Sequence, residues 1–269
     1  WIAYQRVNEK FAESLLKEIE GEEAPLILIQ DYHMALLPLL IKRRRPDAKV
    51  AIFWHIPWPN PESYGICQWR QELILGMLGA DLIGFHTQVH CNNFLDTVDS
   101  FLESKSDWAQ FKVARGGHST LVRPYPISVA FDSSDKKTVP KLRKDIAREG
   151  ILKDLGIYAD YIGVGVDRID YTKGIPERFM AINRFFEKYP DFIGKFTFIE
   201  LGAPSRTHIK RYHDLIAELD ELSDKINWRY KTKTWKPIFF LKAHHGHQAI
   251  SRHYRGSDVC IVSSLHDGM

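Results

Sequence analysis

Arg168 and Lys173 flank a short polar stretch in the run Val166-Asp167-Arg168-Ile169-Asp170-Tyr171-Thr172-Lys173-Gly174-Ile175-Pro176. Proline suits the first turn of a helix, so this stretch is expected to lead into one at Gly174-Ile175-Pro176. A helix start offers free backbone N–H groups, and beside a guanidinium and an ammonium these make an anion site fit for a diphosphate. Surface pairing of Arg168 with Asp167 or Asp170 is the competing reading. Asp31 and His55 each follow an apolar run in the first half of the chain. An acid and an imidazole sharing a cleft can bind sugar hydroxyls or move protons. Asp31 also precedes an expected helix, where a capping role competes, and a satisfied structural histidine is the alternative for His55. Arg206 follows a further apolar run, in a polar stretch near the start of the next expected helix, where pairing with a nearby acid is the plain reading.

Other clusters carry less. His244-His245-Gly246-His247 has no second ligand cluster at metal-binding spacing and reads as a polar loop. Lys42-Arg43-Arg44-Arg45 falls at an expected helix C-terminus, where cations complement the dipole on a solvated face. The chain contains no G-x-x-x-x-G-K-[ST], no G-x-G-x-x-G and no G-x-S-x-G, which weighs against P-loop, dinucleotide-oxidoreductase and serine-hydrolase chemistry. It has no Asp-x-Asp either, the usual carboxylate pair of metal-dependent sugar-nucleotide transferases. Cys67, Cys91 and Cys260 are scattered and odd in number, so neither a disulfide framework nor a zinc site is implied, and a reducing, cytoplasmic setting is expected.

The elements that must position these residues alternate. Strand-length apolar runs are expected at 26–29, 50–54, 82–85, 161–166, 197–201, 238–241 and 259–262. Helical periods fill the gaps at about 1–19, 34–44, 69–78, 89–101, 176–189, 209–222 and 249–254. In the first helix Val7, Phe11, Leu15 and Ile19 recur every fourth residue as its apolar stripe. Such alternation is the signature of a mostly parallel α/β sheet, in which ligands bind beyond the carboxyl ends of the strands. Asp31, His55, Arg168, Arg206 and Asp267 all follow expected strands. Between the two series, 111–113 and 120–123 flank Gly116-Gly117 as a hairpin, followed by a charged amphipathic segment at 139–149. The expected boundary therefore gives one α/β domain over 1–130, a connector over 131–150 and a second domain over 151–269.

At 269 residues, with 44% apolar and 26% charged, the chain has the composition of a folded soluble protein. Thirteen basic residues oppose fifteen acidic ones up to Ala130, and twenty-four oppose nineteen after it. That asymmetry is too mild for nucleic acid and would suit a small anionic ligand in the second half. No apolar run reaches the roughly 20 residues that span a bilayer, so no membrane partner is expected. Opening on Trp1 and stopping at Met269 after an Asp-Gly turn, the chain reads as an excerpt of a longer protein.

Several blocks together carry a resemblance: Trp1-x-x-Tyr4-x-x-Val7-Asn8, Asp31-Tyr32-His33, His55-Ile56-Pro57-Trp58-Pro59, 80–87, the long run 166–178, Ala203-Pro204-Ser205-Arg206 and Leu265-His266-Asp267-Gly268-Met269. In order and spacing they resemble the trehalose-6-phosphate synthase family of retaining glycosyltransferases, from the first residue to the last. The resemblance implies a GT-B architecture, α/β with two Rossmann-like domains facing a central crevice. It implies transfer of glucose, with retention, from a nucleotide-glucose donor to glucose 6-phosphate, giving trehalose 6-phosphate. UDP-glucose is the first-choice donor, with GDP- or ADP-glucose as alternatives. Neither a cofactor nor a metal is implied, and homo-oligomers are compatible with it.

Residue by residue, Arg168 and Lys173, with Gly174 beside them, match the donor-diphosphate site, and Asp267 matches the acid that binds the donor glucose. His55 matches the histidine near the anomeric carbon; Asp31 and Arg206 match acceptor-holding residues, Arg206 through the phosphate. Catalysis in such a family falls to His55, Asp31, Arg168 and Lys173, with the leaving diphosphate taking the acceptor proton. Trp58 stands where phenylalanine is usual and His266 where arginine is usual. Relatives of this kind use glycerol 3-phosphate or a pseudo-sugar phosphate as acceptor, and a catalytically silent regulatory member is the remaining alternative.

Overall fold

A computed structural model describes residues 1–128 and 143–265, and the chain divides into two compact units, one on each side of the gap. The first begins with α1 (Ile2–Glu18), β1 (Leu26–Gln30) and a 3-10 turn at Tyr32–Met34, then α2 (Leu37–Lys42) and β2 (Lys49–Phe53). It continues with α3 (Pro61–Tyr64), α4 (Arg70–Met77), β3 (Leu82–Phe85), α5 (Gln88–Phe101), β4 (Lys105–Asp107), β5 (Lys112–Arg115) and β6 (His118–Pro124). The sheet runs β1-β2-β3-β6-β5-β4; the first four strands are parallel, and the expected Gly-Gly hairpin joins β5 to β6 with β4 added antiparallel outside it.

The second unit holds α6 (Lys144–Leu155), β7 (Tyr161–Arg168), α7 (Ile175–Lys188), β8 (Phe196–Ala203), α8 (Lys210–Tyr230), β9 (Ile238–Leu241), α9 (His247–Gly256) and β10 (Val259–Cys260). Its sheet is parallel, in the order β10-β7-β8-β9. α6 packs on α9 with Ala147 and Ile151 buried, while Lys144 and Arg148 both pair with Asp258 ahead of β10. The part of the expected charged segment before Arg143 lies outside the described residues.

α1 departs from the expected stripe. Val7 and Phe11 are exposed, whereas Asn8 and Ala12 face inward. The reason is polar: Asn8 Nδ2 donates to the carbonyls of Tyr4 (3.0 Å) and His33 (3.1 Å), and its Oδ1 accepts from Leu36 N–H (3.3 Å). Tyr4 Oη donates to the Tyr32 carbonyl (2.6 Å) and accepts from Ala35 N–H (3.0 Å). These bonds pair backbone groups of the 32–36 turn that are partly shielded from water by α1, and satisfying them outweighs burial of a valine and a phenylalanine. The basic run also differs from a wholly solvated face. Lys42 pairs with Asp81 ahead of β3 (2.8 Å), and Arg45 pairs with Asp47 and donates to the Ile19 carbonyl at the end of α1 (2.9 Å).

α8 extends eight residues past its expected end, because Asn227 bonds both backbone groups of Ile238 in β9 at 2.9 and 3.0 Å. Trp58 is fully buried in the first core against Trp54, Tyr64, Phe85 and Phe94, with its Nε1 donating to Thr97 Oγ1 at 3.0 Å.

Candidate active site

In the first unit the carboxyl ends of β1, β2 and β3 bring Gln30, Asp31, His55 and His86 together. Asp31 adopts φ 68° and ψ 174°, a region that side chains other than glycine rarely occupy. Its N–H bonds the Phe53 carbonyl at 2.7 Å, and its Oδ1 accepts from the backbone N–H of His55 at 3.2 Å. The side chain therefore reaches across to β2's exit and makes no capping bond to the turn that follows, which removes the capping alternative.

The His55 ring meets Gln30 Oε1 through Nε2 at 2.8 Å and packs edge-on against Phe53, 4.6 Å between centroids. Behind it, 5.6 Å away between centroids, lies His86. His86 is buried and its Nδ1 accepts from Ile127 N–H at 3.3 Å, which places its ring proton on Nε2 when neutral. Burial, and then the neighbouring His55, push the His86 imidazole below its usual range, with Asp31 only partly opposing them. His86 thus reads as a neutral support for the His55 ring. Gln30 and His86 went unassigned in the sequence, although both adjoin expected strand ends.

The second unit's site is built on β7 and the start of α7. β7 continues two residues past Val166, with Asp167 and Arg168 still paired to Gly202 and Ala203 of β8, so Arg168 leaves from the strand end itself. A 3-10 turn at Tyr171–Lys173 follows, and Gly174 then opens α7 with φ 61°. A Cβ at Gly174 would collide with the Ser263 carbonyl, so both conformation and contact demand glycine there. Pro176 sits in the first turn of α7, as expected.

Asp167 does not pair with Arg168. It bonds Arg178 at 2.8 Å, and the same fully buried guanidinium reaches Glu200 at 2.7 Å and Ser263 Oγ, from Nε, at 3.0 Å. The Ser263 hydroxyl in turn donates to the Gly174 carbonyl at 3.1 Å. One guanidinium thereby anchors the strand end, the helix start and the segment after β10 to each other. Leu265 N–H adds a bond to the Thr172 carbonyl at 2.8 Å. Burial, aided by the nearby charge of Asp167, pushes the Glu200 carboxyl up to about 7 against the pull of Arg178, and its Oε1 has no hydrogen-bond partner among the described residues. The signal for this cluster was a lone glutamate inside an otherwise apolar strand.

Arg206, in the loop after β8, has φ 47° and donates from Nη1 to Tyr212 Oη at 2.6 Å. Tyr212 is buried in the first turn of α8 and donates to Asp170 Oδ2 at 3.1 Å. Asp170 Oδ1 accepts from both the N–H and the hydroxyl of Thr172, each at 3.0 Å. Burial opposes the charge of Asp170, but the bonds from Thr172 and Tyr212 and the charge of Arg168 outweigh it, holding the carboxyl below its usual range. Arg206 is thereby linked to the Asp170 carboxylate through the Tyr212 hydroxyl.

Asp267 and His266 lie outside the described residues. Among the described residues no group of three His, Cys, Asp or Glu side chains is arranged to hold a metal ion, and His245 in the histidine-rich loop approaches the Leu241 carbonyl instead. No helix among them is long and apolar enough to cross a membrane.

The model of glycosyltransferase family 20 matches residues 1–269. A UDP-forming α,α-trehalose-phosphate synthase of Pichia angusta is 35% identical over 277 residues, covering all of this chain and 56% of the relative. That of Schizosaccharomyces pombe is 32% identical over 274 residues, again covering all of this chain and 52% of the relative. The chain thus spans about half the length of these relatives. Among solved structures, one described as trehalose-6-phosphate from E. coli bound with UDP-2-fluoro glucose superposes with a TM-score of 0.88 at 29% identity, over all of this chain and 58% of that one. The α/β fold is that of the GT-B structures it resembles.

Proposed function

The chain belongs to glycosyltransferase family 20, and from that premise we propose that the protein transfers glucose, with retention of configuration, from a nucleotide-glucose donor to glucose 6-phosphate, giving trehalose 6-phosphate. The observation that carries this reading is the β7 exit, where Arg168 and Lys173 stand on either side of a rigidly anchored turn that opens α7 at Gly174.

In glycosyl transfer from a nucleotide sugar, negative charge builds on the departing diphosphate. Preorganised donors aimed at that charge supply much of the rate enhancement. Arg168, Lys173 and the first N–H groups of α7 are assigned this task. The buried Arg178 anchor makes it effective, because donors held in place before the reaction need no reorganisation during it. The charge neutralisation is thereby assigned to protein cations, and the departing diphosphate accepts the acceptor's proton. Asp31 and His55 bind sugar hydroxyls, and Asp267 is assigned to the donor glucose by its match to the family motif. Arg206 is assigned to the acceptor phosphate, which its planar fork can hold through two charge-assisted bonds. UDP-glucose is the preferred donor, supported by the UDP-forming relatives and by the UDP-2-fluoro glucose bound to the E. coli neighbour.

The test is a donor-by-acceptor matrix on the full-length protein, run with and without a chelator. UDP release from UDP-glucose should depend on glucose 6-phosphate and persist in the chelator. Lys173→Ala should lower kcat/KM by about 2–4 kcal/mol, the range for removing one charge-stabilising donor. Turnover near wild type in that variant would sink the diphosphate assignment.

A further inference from the structure

The loops after β7 and β8 are joined by a chain of three polar side chains whose proton directions are fixed by chemistry. A guanidinium only donates and an ionised carboxylate only accepts. The Tyr212 hydroxyl, with one proton, must therefore accept from Arg206 (2.6 Å) and donate to Asp170 (3.1 Å). Asp170 lies in the same turn as Lys173 and is itself fixed by Thr172. Tyr212 is buried, and its ring packs edge-on to Tyr171 at 5.9 Å between centroids, so the hydroxyl cannot follow a wandering arginine. Arg206, by contrast, is exposed and starts from a left-handed backbone, φ 47°, that points a long and flexible side chain.

We propose that Tyr212 is a positioning residue for the acceptor site: its hydroxyl aims the Arg206 guanidinium at the acceptor phosphate and ties that aim to the turn carrying Lys173. The proposal rests on the phosphate role given to Arg206 above. It identifies Asp170 and Tyr212, neither of which need touch substrate, as the link between donor turn and acceptor arginine.

Tyr212→Phe in the full-length protein deletes the hydroxyl and keeps the ring. The KM for glucose 6-phosphate should rise roughly tenfold or more, the size of one hydrogen bond to a charged group. The KM for UDP-glucose should stay within about twofold, the preference for glucose 6-phosphate over free glucose should narrow, and the thermal midpoint should hold. In an Arg206→Ala background the same change should add no further loss toward glucose 6-phosphate. An unchanged acceptor KM in Tyr212→Phe, alongside a raised one in Arg206→Ala, overturns the positioning role and leaves the Arg206 assignment standing. Parallel rises in both KM values with a lowered midpoint mark a merely structural tyrosine and also overturn it. If Arg206→Ala itself fails to distinguish phosphorylated from free glucose, the acceptor assignment falls and this inference with it.

Discussion

Asp31 holds a backbone conformation that costs a non-glycine residue on the order of 1–3 kcal/mol, and it is kept there by bonds from both sides. Such strain marks a position where the side chain matters more than local stability. Asp31→Gly and Asp31→Ala both remove the carboxylate, so their difference isolates the strain. The glycine variant should be more stable than the alanine variant by about 1–3 kcal/mol in urea unfolding, with both impaired in transfer. Equal stabilities would remove the strain argument. Glu200 poses a different problem, since its carboxyl is raised from 4.5 to about 7 by burial. A raised folded-state pKa means the native state holds the proton where the unfolded chain has lost it. Glu200 therefore contributes most below about pH 4.5, and that contribution drains away as pH rises through about 7. Glu200→Gln should flatten the fall in stability across this window by about 1–3 kcal/mol relative to wild type. Parallel pH profiles for the two proteins would show that burial does not hold the proton there.

At the scale of elements, two helices fix the chemistry by opposite means. α1 uses side chains: Tyr4 and Asn8 bond the backbone of the turn that carries Asp31, Tyr32 and His33, making the helix a clamp on that turn. α7 uses its own start, where Gly174 lets the chain pass beneath the Ser263 carbonyl in a left-handed conformation. Alanine there pays roughly 1–2 kcal/mol for the backbone alone, before any contact is displaced. Gly174→Ala should thus lose more than about 2 kcal/mol in denaturant unfolding and weaken UDP-glucose binding at the same time. A variant of wild-type stability would show that Ser263 is not held against the helix start.

For the molecule as a whole, each unit has its own core: one cluster runs from Ala12 to Val122, and two others occupy the second unit from Ile151 to Ile238. The alternation of apolar strands and amphipathic helices was legible in the sequence because burial on both faces of a parallel sheet leaves little freedom in composition. Strands 82–85 and 238–241 emerge as β3 and β9 within the expected bounds. The turn into α7 at Gly174-Ile175-Pro176 was legible too, since proline and glycine have narrow conformational roles at a helix start. The face of α1 was not, because it is decided by the unpaired backbone of a turn some 25 residues away in sequence. Nor were the partners of Asp31 and Arg206, or the Arg178 cluster, where acid and base come from strands and helices that meet only after folding. Local propensity and periodicity thus fixed which elements form and which polar residues end up at strand exits. Only the tertiary structure decided which charge answers which, because desolvated groups bond whatever polar partner the fold places within about 3 Å.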